Sequence, residues 1–187
     1  MKIRTGILIL ACLLPASGAM ALTSGALNVT GLVVGAGCKL ELQTTEGDSL
    51  GGALDLGVGT SEQWNNYHHP QVTKDFKLYF TGCQAALSTT VKFTGTAVDN
   101  STWGTSSYIK NASSAGNANN NLALGLHLVA SNGTTNLVPV NGSGRNWGLS
   151  TTGTTTIRAR AYLMRRDNTI DEVGAFQGTV TVVADLH

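Results

Sequence analysis

The residues in this chain whose types and spacing could do chemistry are few. They are a cysteine pair at Cys38 and Cys83, the adjacent His68 and His69, the loop aromatics Trp64, Tyr67, Trp103 and Tyr108, and an alternating stripe near the N-terminus. Charged residues make up only 12% of the sequence, which leaves few groups for paired acid–base work. Ser, His and Asp are present, but no nucleophile elbow or metal-binding helix frames them, so no enzyme is expected. His68 and His69 lie in the polar loop Ser61–Pro70 with no carboxylate or cysteine at ligand spacing. They read as solvated, with neither metal nor cofactor expected. The aromatics could stack on a sugar ring, but scattered loop aromatics more often pack locally.

The stripe offers a different chemistry, that of the backbone. Within Leu22–Cys38, every second residue from Gly25 is small or apolar: Gly25, Leu27, Val29, Gly31 and Val33. Asn28 and Thr30 fall between them. A period of two marks a strand with one buried face. Glycine weakens an ordinary strand but permits close backbone approach to another surface. No turn signal joins this strand to a neighbour. It reads either as a strand that can be offered to another surface or as an ordinary first strand paired within its own sheet.

Export sets the context. Lys2 and Arg4, the apolar run Gly6–Leu14 and the A-x-A triplet Ala19-Met20-Ala21 form a secretory signal over residues 1–21. That apolar run is too short to span a bilayer, and no later segment reads as a membrane span. Removing 21 of the 187 residues leaves 166, enough for one domain with its own core. With Lys2 and Arg4 gone, 10 basic residues face 11 acidic ones. No basic patch emerges, so no nucleic-acid partner is expected. Cys12 leaves with the signal. Cys38 and Cys83, in a secreted domain, are expected to form one disulfide. Closing that loop contributes roughly 4 kcal/mol in the chain-entropy picture.

The elements that must carry these residues are short strands. Lys39–Leu42, Ala53–Val58, Lys74–Phe80, Thr89–Val98, Leu122–Leu128, Ile157–Leu163 and Phe176–Leu186 all show strand patterning. The clearest alternation is Leu122, Leu124, Leu126 and Leu128. Asp99–Asn121 reads as loop or weak edge, Gly133–Thr135 and Asn141–Gly148 as turns, and Arg165-Arg166-Asp167 as a solvated turn. Asn132-Gly133-Thr134 and Asn141-Gly142-Ser143 match the glycosylation sequon. Seven to nine strands without an amphipathic helix predict an all-β sandwich of immunoglobulin type. The sequence also ends with its last strand. The sandwich is therefore expected to be incomplete, with a groove beside Phe176–Leu186 whose exposed edge would cost several kcal/mol. Residues 22–37, fully extended, reach about 53 Å, longer than one sandwich strand, so strand and groove need not meet in one molecule.

Three blocks resemble the pilins of the chaperone–usher family, close to the type 1 fimbrial subunits. Gly25–Cys38 is similar to the pattern G-x-V-x-F-x-G-x-V-x-x-A-x-C. Phe76–Cys83 followed by Val91–Thr96 resembles the family's strand, cysteine and V-x-F-x-G. Arg158–Met164 and Val173–Leu186 resemble its A-R-Y strand and closing strand. The resemblance implies a donor-strand extension at 22–37 and a pilin domain at 38–187. It implies Gly25, Leu27, Val29, Gly31 and Val33 as donor side chains, with Phe176, Val180, Val182 and Leu186 lining the acceptor groove. It also implies a structural subunit of an adhesive fimbrium on the bacterial surface. Such a subunit reaches the surface through the periplasm, with a chaperone, an outer-membrane usher and neighbouring pilins as partners, and polymerises by strand addition. The alternative is an adhesin or polyadhesive subunit that binds host glycan or protein through its loops. One departure is Leu186, where the family usually has tyrosine.

Overall fold

The computed structural model describes residues 23–34, 37–59, 72–83, 88–98, 107–113, 121–150, 153–165 and 175–187. Its strands are β1 (Thr23–Val34), β2 (Lys39–Gln43), β3 (Ala53–Gly59), β4 (Val72–Thr81), β5 (Ser88–Gly95) and β6 (Ile109–Lys110). They continue with β7 (Leu122–Val129), β8 (Thr135–Leu137), β9 (Arg145–Gly148), β10 (Thr155–Arg165) and β11 (Phe176–Leu186). No helix occurs among the described residues, so none there is long and apolar enough to cross a membrane.

Two sheets pack face to face, as the all-β expectation required. Sheet A runs β3-β1-β11-β5-β9, and sheet B runs β2-β4-β10-β7-β6 with β8 attached to β7. The period-two residues build the space between them. Leu122, Leu124, Leu126 and Leu128 of β7, Phe76, Leu78 and Phe80 of β4, and Ile157, Ala159, Ala161 and Leu163 of β10 supply sheet B's inner face. Leu27, Val29, Val91, Phe93, Phe176, Val180, Val182 and Ala184 answer from sheet A. Fully burying each of the larger side chains contributes about 1.5–3 kcal/mol.

Strand boundaries depart from the sequence reading where local chemistry intervenes. Valines and threonines suggested a strand to Val98, but β5 ends at Gly95. There the Asn141 side chain stands in for a neighbouring strand. Its Oδ1 accepts from Gly95 N at 3.1 Å and its Nδ2 donates to Gly95 O at 3.0 Å. Asn141 holds φ at +59° to do so, a conformation that asparagine tolerates better than most residues. The expected turn at Asn141–Gly148 splits accordingly. Its first part is turn and its second part is β9, an exposed edge strand paired with β5. Arg165, expected in a solvated turn, is instead buried as the last residue of β10.

Candidate functional site

The cysteines join as expected: Cys38 and Cys83 form a disulfide with a Cα–Cα distance of 4.4 Å. The bond ties the start of β2 to the chain just beyond β4. The N-terminal strand leads into this anchor, so its reach from Cys38 is fixed covalently.

β1 lies inside sheet A, with β11 on one side and β3 on the other. In the structure the stripe is paired within its own chain. The pairing with β11 is parallel and runs from Gly25 opposite Phe176 to Val34 opposite Asp185. The pairing with β3 is antiparallel and stops at Asn28 opposite Ala53. One further backbone bond, from Val29 N to Gly52 O at 2.9 Å, closes that flank.

Size complementarity fixes the register. Gly25 faces the bulky Phe176, and a Cβ on Gly25 would meet Leu56 at 3.1 Å. One step along, Leu27 faces Gly178, and a Cβ on Gly178 would meet Leu27 Cδ1 at 3.1 Å. A one-residue slip would turn the whole stripe outward. On the outer face, the hydroxyls of Thr30 and Thr181 hydrogen-bond at 3.0 Å.

The stripe is not buried evenly. Gly25, Leu27 and Val29 are buried, Val33 is half-buried and Gly31 is exposed. Past Asn28, β1 has a ladder on the β11 side alone. At this end a notch of about 440 Å³ opens between the sheets, lined by Val29, Gly31, Leu40, Leu42, Ser49, Gly51 and Gly52 among others. Leu32, on the outer face, is 51% exposed.

The residues expected to line a groove divide similarly. Phe176, Val180 and Val182 are buried opposite Gly25, Val29 and Gly31, so the structure brings three of the four beside the stripe. Leu186 is half-buried and faces Thr89 of β5, beyond the last β1 pair. The end of the chain is clamped there, with His187 and Ser88 exchanging backbone bonds at 3.0 and 2.9 Å. Gly178, opposite Leu27, is the residue beside the stripe that sequence reasoning missed. Its place in the alternating Phe176–Leu186 set was the available signal.

Away from the groove, the outer face of sheet B gathers ionisable groups. Asp75 accepts from Arg160 Nε at 2.5 Å and Nη2 at 2.9 Å, and from Arg158 at 3.3 Å. The Arg160 hydrogen bonds hold the Asp75 carboxyl below its ordinary value against an opposing desolvation cost. Tyr162 lies across Gly125, between Tyr108 (centroids 6.4 Å apart) and His127 (4.6 Å apart). Burial pushes the Tyr162 phenol up and His127 down, the latter aided by the charge of Arg160. Among the described residues, no three His, Cys, Asp or Glu side chains converge. Trp64, Tyr67, His68, His69 and Trp103 lie outside the described residues, as does the signal segment.

Residues 27–186 match the profile of the fimbrial protein family. This chain belongs to that family. The match covers both cysteines, the groove and all of the stripe except Gly25. Among solved structures, it is similar to the antigen and type I fimbria protein of Burkholderia pseudomallei. The identity is 19% over 87% of this chain and 92% of that one, with a TM-score of 0.43. It is also similar to the CupB6 tip adhesin of Pseudomonas aeruginosa at 11% identity and a TM-score of 0.41. That alignment covers 59% of this chain and only 30% of the adhesin's length. A search of curated proteins gave no match. Membership of this family marks the protein as part of an extracellular surface appendage assembled from related subunits, a structural or adhesive role.

Proposed function

We propose that this protein is a structural fimbrial subunit that polymerises by donor-strand exchange, with β1 leaving its own groove to fill that of the next subunit. The observation that carries this reading is the placement of β1. An N-terminal strand, tethered through Cys38, supplies the strand between β3 and β11. Leu27 and Val29 together contribute about 3–6 kcal/mol of apolar burial there, whether the groove is their own or a neighbour's. Gly25, Leu27, Val29, Gly31 and Val33 are the donor residues in this reading. Phe176, Val180 and Val182 line the acceptor edge, and Leu186 lies at its rim. Before assembly, the reading requires cleavage after residue 21 and escort of the open groove by a periplasmic chaperone. An outer-membrane usher then exchanges chaperone for subunit, and fibre contacts form on the cell surface.

The test uses the domain lacking residues 22–37, held by its chaperone, and a synthetic peptide of that sequence. Displacement of the chaperone with a sharp rise in melting temperature is the expected result. If no donor peptide stabilises the truncated domain, the exchange reading fails.

A further inference from the structure

We infer that Asn132 is a site of spontaneous deamidation in the folded subunit, whereas Asn141, the other asparagine followed by glycine, is protected. The two dipeptides are chemically equivalent in an unfolded chain, since glycine after asparagine leaves the backbone nitrogen unshielded by a Cβ. The fold separates them.

Asn132 stands at the tip of the β7–β8 hairpin, where residues 131–135 are all exposed. Its Oδ1 accepts a local bond from Thr134 N at 2.9 Å, and Gly133 N donates to Ala130 O at 2.9 Å. Gly133 sits at φ +83° with nothing within 4 Å of where a Cβ would be. Opening this tip breaks only such local, solvent-exposed bonds, and segments of that kind have the lowest opening free energies.

Asn141 is held by long-range contacts. Its side chain both accepts from and donates to Gly95, and its own N–H donates to Phe93 O at 2.8 Å. Gly142 is packed, since a Cβ there would lie 3.0 Å from Pro139. Freeing the Asn141 amide means undoing the end of β5.

In the reaction, the Gly133 backbone nitrogen gives its proton to solvent base and bonds to Asn132 Cγ. The Cγ–Nδ2 bond breaks and the nitrogen leaves as ammonia after taking a proton from water. Water then opens the five-membered imide at either carbonyl, leaving aspartate or isoaspartate. No redox partner is needed. Each event adds one negative charge to the hairpin tip of a subunit.

The test holds the full mature chain at mildly alkaline pH, folded and in denaturant, and maps peptides by mass under acidic digestion. In the folded chain, the amide-to-acid mass change is expected to accumulate at 132 and not at 141. In denaturant, both sites should convert at similar rates. The variant Asn132→Gln, which would have to close a larger ring, should abolish the change at that peptide. Conversion at 141 as fast as at 132 in the folded chain would overturn the inference. So would an intact Asn132 over a period in which the unfolded chain converts.

Discussion

Sheet B and sheet A are held together differently. Every named strand pair in sheet B is antiparallel, and its strands come from the body of the chain between Lys39 and Arg165. Sheet A contains the one parallel pair among the described strands, β1 with β11, and that pair joins the first and last of them. Its β1 is also the strand whose burial fades along its length, from Leu27 to the exposed Gly31. Sheet B is thus a conventional half-sandwich. Sheet A is a sheet with one position, between β3 and β11, filled by the N-terminal strand β1.

The strongest way to break this comparison is to remove β1. Deleting residues 22–34 should abolish cooperative thermal unfolding of the isolated domain, because β3 and β11 lose their shared partner and the core opens. A far-UV circular dichroism melt that stays cooperative would show that sheet A closes without it. Next in size is the anchor. Cys38→Ser with Cys83→Ser should cost about 2–4 kcal/mol in denaturant unfolding, with wider consequences for β1 than for the β7–β10 ladder.

The two ends of the stripe sharpen the comparison further. Leu27→Ala, fully buried against Gly178, should cost about 2–5 kcal/mol, similar to Leu126→Ala in sheet B. Leu32→Ala on the exposed face should stay within about 0.5 kcal/mol. Equal losses at 27 and 32 would mean that the register is wrong.

The smallest effect is a pH dependence confined to sheet B. The pKa of His127 is lowered in the fold, first by burial and then by Arg160, so folding favours the neutral ring. The group facing it is Tyr162, with Tyr108 beyond and the Asp75–Arg160 pair alongside. The native state binds fewer protons than the unfolded state, so stability should fall as pH drops through about 6.5. His127→Gln should flatten that slope in urea midpoints measured across the range. Asp75, held low by Arg160, should add a second loss only at more acidic pH.

Much of this was legible in the sequence because period two is a direct consequence of sheet burial. The leucines of β7, the stripe of β1 and the closing strand β11 all announced their inner faces. The resemblance named Phe176–Leu186 as the partner of the stripe, but nothing in Gly25–Val33 itself states that this strand, some 150 residues away, is met in parallel and within the same chain. Complementarity between Leu27 and Gly178 is a relation between two strands and appears in neither alone. Polar edges hid as well. Arg145–Gly148 carries the turn-forming residues of a loop yet pairs with β5, and Asn141 behaves as a strand substitute through its side chain.

The central claim is that β1 must leave its own groove before the protein can polymerise. Thr30 and Thr181 face each other across that pair with hydroxyls 3.0 Å apart, so Thr30→Cys with Thr181→Cys can lock the strand in place. Fibre growth of the oxidised double variant should cease and return when the added bond is reduced, with Cys38–Cys83 verified intact by mass mapping. Polymerisation of the locked protein at the normal rate would contradict the claim.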